Sequence, residues 1–177
     1  MSMQTPHISA ITLEILPENE QDPDPAAVHT FATHAIQALH QHGYQSQPVS
    51  TGQRGGGQLV FQIVSQSILA MGPVLLAQKD TIDVISGLCT IFTTVKELLW
   101  TLFHVSQKQP PQAHAITVRI KIDEAEMELT SADIADDERI LHLAERFYAL
   151  HPSVKVTPQS PVTVQARVPK QPPRRRR

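Results

Sequence analysis

Cysteine is nearly missing from this chain: Cys89 stands alone among 177 residues. One thiol excludes an internal disulfide framework and any cysteine-based zinc cluster. Aromatic residues make up only 5% and charged residues 18%, so the 41% of hydrophobic residues must build an aliphatic core. That much apolar material excludes a wholly disordered chain and a fibrous repeat. The opening MSMQTPHISA has neither a basic nor an apolar region, so no signal peptide is read and a cytoplasmic location is expected. No run of 18 uncharged apolar residues occurs either, because Asp83, Lys96 and Glu97 interrupt the apolar stretch between Ile82 and Val105. A membrane span is therefore not expected.

Acid is missing altogether from residues 157–177, which carry Arg167, Lys170 and the four arginines Arg174, Arg175, Arg176 and Arg177. With a formal net charge of −2 for the whole chain, residues 1–156 carry −8 and the tail +6. The length fits one domain. The expected organisation is a single domain over 1–156 followed by a disordered, basic, proline-rich tail over 157–177. Arg174 to Arg177 are the candidate anion-binding group. No aromatic residue lies in the tail to stack on bases, so nucleic-acid binding there would be weak and non-specific. The alternative is a tail folded back on the acids near 133–138.

Periodicity supplies the elements. Ile11, Leu13 and Ile15 alternate with Thr12 and Glu14, which predicts a half-buried strand over 8–16. Asp24-Pro25 reads as an N-cap followed by proline at the first helical position. Val28, Phe31, Ala35, Ile36 and Leu39 then recur at helical spacing up to Gly43, a C-terminal stop. Residues 44–50 read as an edge strand weakened by Pro48. Phe61, Val64, Ile68, Met71 and Leu75 favour a helix, against the β-rich string LVFQIV, with a break at Gly72-Pro73. Val84, Leu88, Ile91, Val95, Leu98, Leu102 and Val105 step by four and three, the strongest signal in the chain. They predict a helix of about seven turns. Ile116 to Ile122 and Ala125 to Leu129 alternate around Asp123-Glu124, a hairpin with Arg119 and Lys121 facing Glu126 and Glu128. Asp133 or Asp136 caps a last helix ending at His151-Pro152, and 153–158 adds a short strand. The predicted fold is α+β: a small, mostly antiparallel sheet covered on one face by helices, with a long apolar central helix.

Nothing in this pattern assembles an active site. TGQRGGG over 51–57 lacks the ending of a phosphate loop and reads as a connector. His29, His34, His40 and His42 offer no pair three or four residues apart, so no metal site is expected. Cys89 sits among Leu88 and Ile91, where burial makes a thiol inert. The acids between 123 and 138 lack EF-hand spacing and serve a hairpin and a helix start. The chain is expected to be no enzyme and to need no cofactor. The long helix carries more apolar surface than one seam needs, since Ile85, Phe92, Leu99 and Phe103 widen its stripe, and its other side is rich in Thr. Leu98, Trp100, Leu102 and Phe103 are the candidate interface, for a protein partner or a second subunit. Contact of the 98–105 region with a membrane surface is the further alternative.

The stretch TVRIKIDEAEMELTSADIADDERILHLAERF, with ITLEILPENEQDPDPAAVHTFATHAIQAL upstream, resembles the bacterial effector-associated constant component family over about residues 8–150. The resemblance implies a non-enzymatic adaptor coupling sensor and effector proteins in a bacterial conflict or signalling system. It assigns no functional residue.

Overall fold

The computed structural model describes residues 10–50, 57–74, 80–108, 116–157 and 160–171. They form an α+β fold with six strands and four helices. Strand β1 (Ile11–Pro17) leads through an acidic loop to helix α1 (Pro25–Gln41). The Asp24 carboxylate accepts from the Ala27 amide at 3.1 Å, and Pro25 opens the helix. Gly43 stops it at φ 84°, a left-handed geometry that glycine adopts freely, and the Tyr44 amide turns back onto the Leu39 carbonyl at 3.0 Å. Strand β2 (Gln45–Pro48) is an edge strand, as its proline and its length suggest.

In the next segment strand chemistry prevails over helical spacing. Leu59–Val64 is strand β3, antiparallel to β1 with Leu13 opposite Phe61. Its β-branched and aromatic side chains fit a pleated surface, and β1 and β2 supply neighbours on both sides. Helix α2 (Gln66–Val74) begins only after the Ser65 hydroxyl has taken the Ile68 amide at 3.2 Å. Its described range runs through Gly72-Pro73, where a break was expected, to Val74.

Helix α3 (Thr81–Gln107) runs 27 residues. Asp80 caps its start by accepting from the Asp83 amide at 3.0 Å. All seven residues of the stepped series are buried on it, with α1 packed on one flank and α4 on the other. The hairpin of β4 (Thr117–Ile122) and β5 (Ala125–Leu129) pairs Arg119 with Glu128 and Lys121 with Glu126, as its alternation requires. Asp123 takes φ 56° in the turn, a position that aspartate tolerates. The two candidate caps then divide the work. Asp133 closes a capping box on Thr130 ahead of a short 3₁₀ turn, and Asp136 caps helix α4 (Asp137–Leu150) by accepting from the Arg139 amide at 2.9 Å.

The largest correction concerns the tail. Residues 157–177 do not form one disordered segment: Val162–Val168 is strand β6, at the middle of the sheet. The strand order is β2-β3-β1-β6-β4-β5, with β6 parallel to β1 and antiparallel to β4, so that Val164 lies opposite both Leu13 and Ile120. The reason is period two: Val162, Val164, Ala166 and Val168 face the helices while Thr163, Gln165 and Arg167 face away. Pro161 and Pro169 bracket the strand and do not interrupt it. The expected strand over 153–158 does not form in its described part, although Val156 is buried in the core.

The return of the chain is fixed by the β1–α1 loop, and the acids that receive it are not those near 133–138. The Glu18 amide donates to the Val168 carbonyl at 2.8 Å, Lys170 pairs with Asp22 at 2.7 Å, and the Gln171 amide donates to Asp24 at 3.1 Å. Arg167 reaches toward Glu20 at 3.7 Å. Four of the five strand pairs are antiparallel. The helices cover the face carrying Ile11, Leu13, Ile120 and Val164. The opposite face is polar, with Gln165 donating to Glu14 at 2.7 Å and Arg119 set between Glu126 and Glu128 at 3.8 and 3.6 Å.

Candidate functional site

The four residues expected to form an interface do not share a surface. Leu98 and Leu102 are wholly buried, Phe103 is half-buried against the core, and Trp100 is 53% exposed. The stepped apolar series is the side of α3 that rests on the sheet, so Leu98 and Leu102 belong to the core. A flanked helix keeps one outward row, here Thr93, Glu97, Trp100, His104 and Gln107. The expected excess of apolar surface is absorbed within the chain, and so is much of the threonine side. Thr90, Thr94 and Thr101 donate to the carbonyls of Ser86, Thr90 and Glu97 at 3.1, 2.8 and 2.8 Å. A threonine satisfied by its own helix can be covered by a neighbour at little cost, and Thr101 is buried that way. Within the 98–105 region Leu98, Leu99, Leu102 and Val105 point inward, and Trp100 is the large apolar side chain left exposed. Among the described residues no helix is long and apolar enough to cross a membrane.

Trp100 therefore stands out from a polar row. Lys96, one turn before it, is tied to Asp137 at the start of α4 at 2.7 Å, and that contact holds the Asp137 carboxyl below the usual carboxylate range. Glu97 lies near Tyr44 at the α1–α3 junction. Burial, with Glu97 adding to it, pushes the Tyr44 phenol up to about 12, against a backbone hydrogen bond at Leu98. The base under Trp100 is thus a helix packed against both α1 and α4.

Two concavities lie elsewhere. One, of about 490 Å³, is bordered by Asp133, Asp136, Arg139, His142 and Arg146. Both of its arginines are already paired, Arg146 with Asp133 at 3.1 Å and Arg139 with Asp136 at 3.3 Å, and Glu138 adds a further acid. Burial pushes the Asp133 carboxyl up, but the Thr130 amide, Arg146 and the Thr130 hydroxyl outweigh it and hold the group below its usual range. These contacts fasten the 3₁₀ turn to α4, the structural work expected of this acidic run. The other, of about 740 Å³, is an open apolar groove between α1 and the β2–β3 edge, with Leu59, Phe61 and Pro48 as its floor and Ala32 and Ile36 on its wall. The helix layer ends at α1, which covers β3 only in part: Ile63 is fully buried, while Leu59 and Phe61 stay half-buried along the groove.

Burial, with Glu145 adding to it, pushes the Cys89 thiol up, in line with the inert role expected of it. Arg174, Arg175, Arg176 and Arg177, the candidate anion-binding group, lie outside the described residues, as does most of the 51–57 loop. Among the described residues, no cluster of three or more His, Cys, Asp or Glu side chains is placed to hold a metal ion.

One feature of the groove side is readable in sequence and has no counterpart in the periodicity. Between Asp24 and Asp80 the chain contains no Asp or Glu, and its only Lys or Arg are Arg54 and Lys79. The described residues of α1, β2, β3 and α2 therefore include no carboxylate, ammonium or guanidinium side chain. No family model matches the chain, and neither a curated protein nor a solved structure matches it.

Proposed function

We propose that this chain is a non-enzymatic adaptor of the bacterial cytoplasm that couples a sensor protein to an effector, and that it grips one of them through the Trp100 row of α3. The observation that carries the reading is the position of Trp100: the one tryptophan of the chain, more than half exposed, on a helix locked between two others. Tryptophan is the residue most enriched among binding hot spots, and a rigid base lowers the ordering cost of using it. The resemblance of residues 8–150 to effector-associated constant components supports the same reading. The tail is a weaker candidate for the primary contact. Arg167 and Lys170 are engaged by Glu20 and Asp22, and the acids around them oppose a second anion.

The test compares three tagged baits in the source cells: the unmodified protein, Trp100→Ala, and Thr163→Ala on the polar sheet face. A protein partner retained by the first and third and lost by the second supports the reading. Equal retention by all three overturns it.

A further inference from the structure

We propose that the uncharged face of α1, β2 and β3 is a two-fold interface with a second copy of this chain, α1 against α1, with the groove beside each helix filled by the other copy. This surface is separate from the Trp100 row, so either proposal can fail without the other.

The occupant follows from charge and from the state of the sheet edge. In a two-fold interface the same patch appears on both sides, so any unbalanced charge near the axis meets its like. A self-docking face must be neutral or internally balanced. Among the described residues this one carries no Lys, Arg, Asp or Glu, in a chain that elsewhere places opposite charges in pairs. Homodimer interfaces are also more apolar than others, and Ile36, Leu59 and Phe61 provide that character between His29 and His40 on the groove's rim.

A β-strand partner is a poorer fit. The Val49 amide donates to the Val60 carbonyl at 2.8 Å, so by alternation Gln47 and Gln45 also bond inward to β3. Only Ser46 and Pro48 then turn their backbone to the free edge, and proline has no N–H to offer. The Ser46 hydroxyl is already taken by His40 at 2.8 Å. An occupant whose backbone needs are met internally, a helix, suits this groove better, and α1, a helix with no Lys, Arg, Asp or Glu, is available in every copy. The area is adequate. A 17-residue helix is about 26 Å long, and the strip from it across two strands is about 20 Å wide. A ridged patch of that outline is of the order of the roughly 800 Å² per partner found in standard interfaces.

Sedimentation equilibrium of the full chain over a wide micromolar range provides the first measurement, with a species of twice 19.6 kDa expected. Gln37 is exposed on the groove rim, so Gln37→Lys leaves the fold intact while setting two ammonium groups against each other. It should abolish the two-chain species at all concentrations. Because Cys89 is the only cysteine, Gln37→Cys in a Cys89→Ser background should form a disulfide-linked dimer under mild oxidation, and Thr163→Cys in the same background should not. A monomer at every concentration overturns the proposal. So does a dimer that survives Gln37→Lys, or one that cross-links through Thr163→Cys and not through Gln37→Cys.

Discussion

Removing β6 should unfold the domain, although it is the last element of the chain and falls where composition suggests a tail. Val162, Val164 and Val168 are 3%, 0% and 6% exposed, and Ala166 is fully buried. Burying a valine side chain contributes about 1.5–3 kcal/mol, so the three valines alone account for about 5–9 kcal/mol. The main-chain bonds to β1 and β4 are lost as well, at about 1 kcal/mol net for each. Domains of this kind are stable by only about 5–15 kcal/mol, so a chain ending at residue 159 should show no cooperative transition in urea. A chain ending at residue 171 should unfold like the full protein. Point variants give the same contrast on a measurable scale. Val164→Ala removes two methyl groups from a fully buried site and should cost about 2–3 kcal/mol with its cavity. Its neighbour Thr163→Ala, on the polar face, should cost less than about 1 kcal/mol. Urea unfolding followed by far-UV circular dichroism measures both. Equal midpoints for Val164→Ala and Thr163→Ala, or a cooperative transition in the chain ending at 159, would refute the placement of β6.

The α3 register predicts that Leu98→Asp costs more than about 4 kcal/mol, since it combines a lost core side chain with a buried unpaired carboxylate. Cys89→Ser, at a half-buried site, should cost about 1 kcal/mol, and thermal melts of the two variants would expose a wrong register by coinciding. Asp133→Ala removes the Thr130 capping box and should cost about 1 kcal/mol at neutral pH. Because contacts in the fold depress the Asp133 carboxyl, its contribution is present above its unfolded value of about 3.9. It is lost as the pH falls through the lower, folded one, so the gap between variant and parent in urea midpoints should close in acid. Asp24→Ala removes both the α1 cap and the anchor of Gln171, and should lower the midpoint by about 1 kcal/mol or more.

What the sequence makes legible here is local. Asp24, Asp136, Gly43 and the alternation around Asp123-Glu124 act through contacts a few residues away, and the structure uses each as its chemistry suggests. The long helix is legible to its ends because seven apolar residues, six steps apart from first to last, keep one phase. Three features required tertiary information. The residues from Phe61 to Met71 satisfy a helical spacing while 59–64 also suits a strand, and only β1 and β2 decide between them. Strand β6 is seven residues of clear alternation inside a proline- and arginine-rich context, and composition averaged over the tail hides it. The candidate interface misassigned Leu98 and Leu102 because an apolar stripe does not say whether its partner is a sheet of the same chain or another molecule. The stretch between Asp24 and Asp80, with no acid and only Arg54 and Lys79 as bases, is plain in the sequence. Periodicity is blind to it because an uncharged polar residue and a charged one fill the same place in a hydrophobic pattern.

Trp100 offers the most direct test of the adaptor reading, because as the only tryptophan it reports on its own surroundings alone. Its emission should be red-shifted and readily quenched by iodide in the free protein. When the protein that co-purifies with the chain is added back, the emission should move to the blue, iodide quenching should fall, and Trp100→Ala should weaken the complex by about 2 kcal/mol or more, about thirtyfold. A complex that forms with the emission and quenching of Trp100 unchanged would contradict the account.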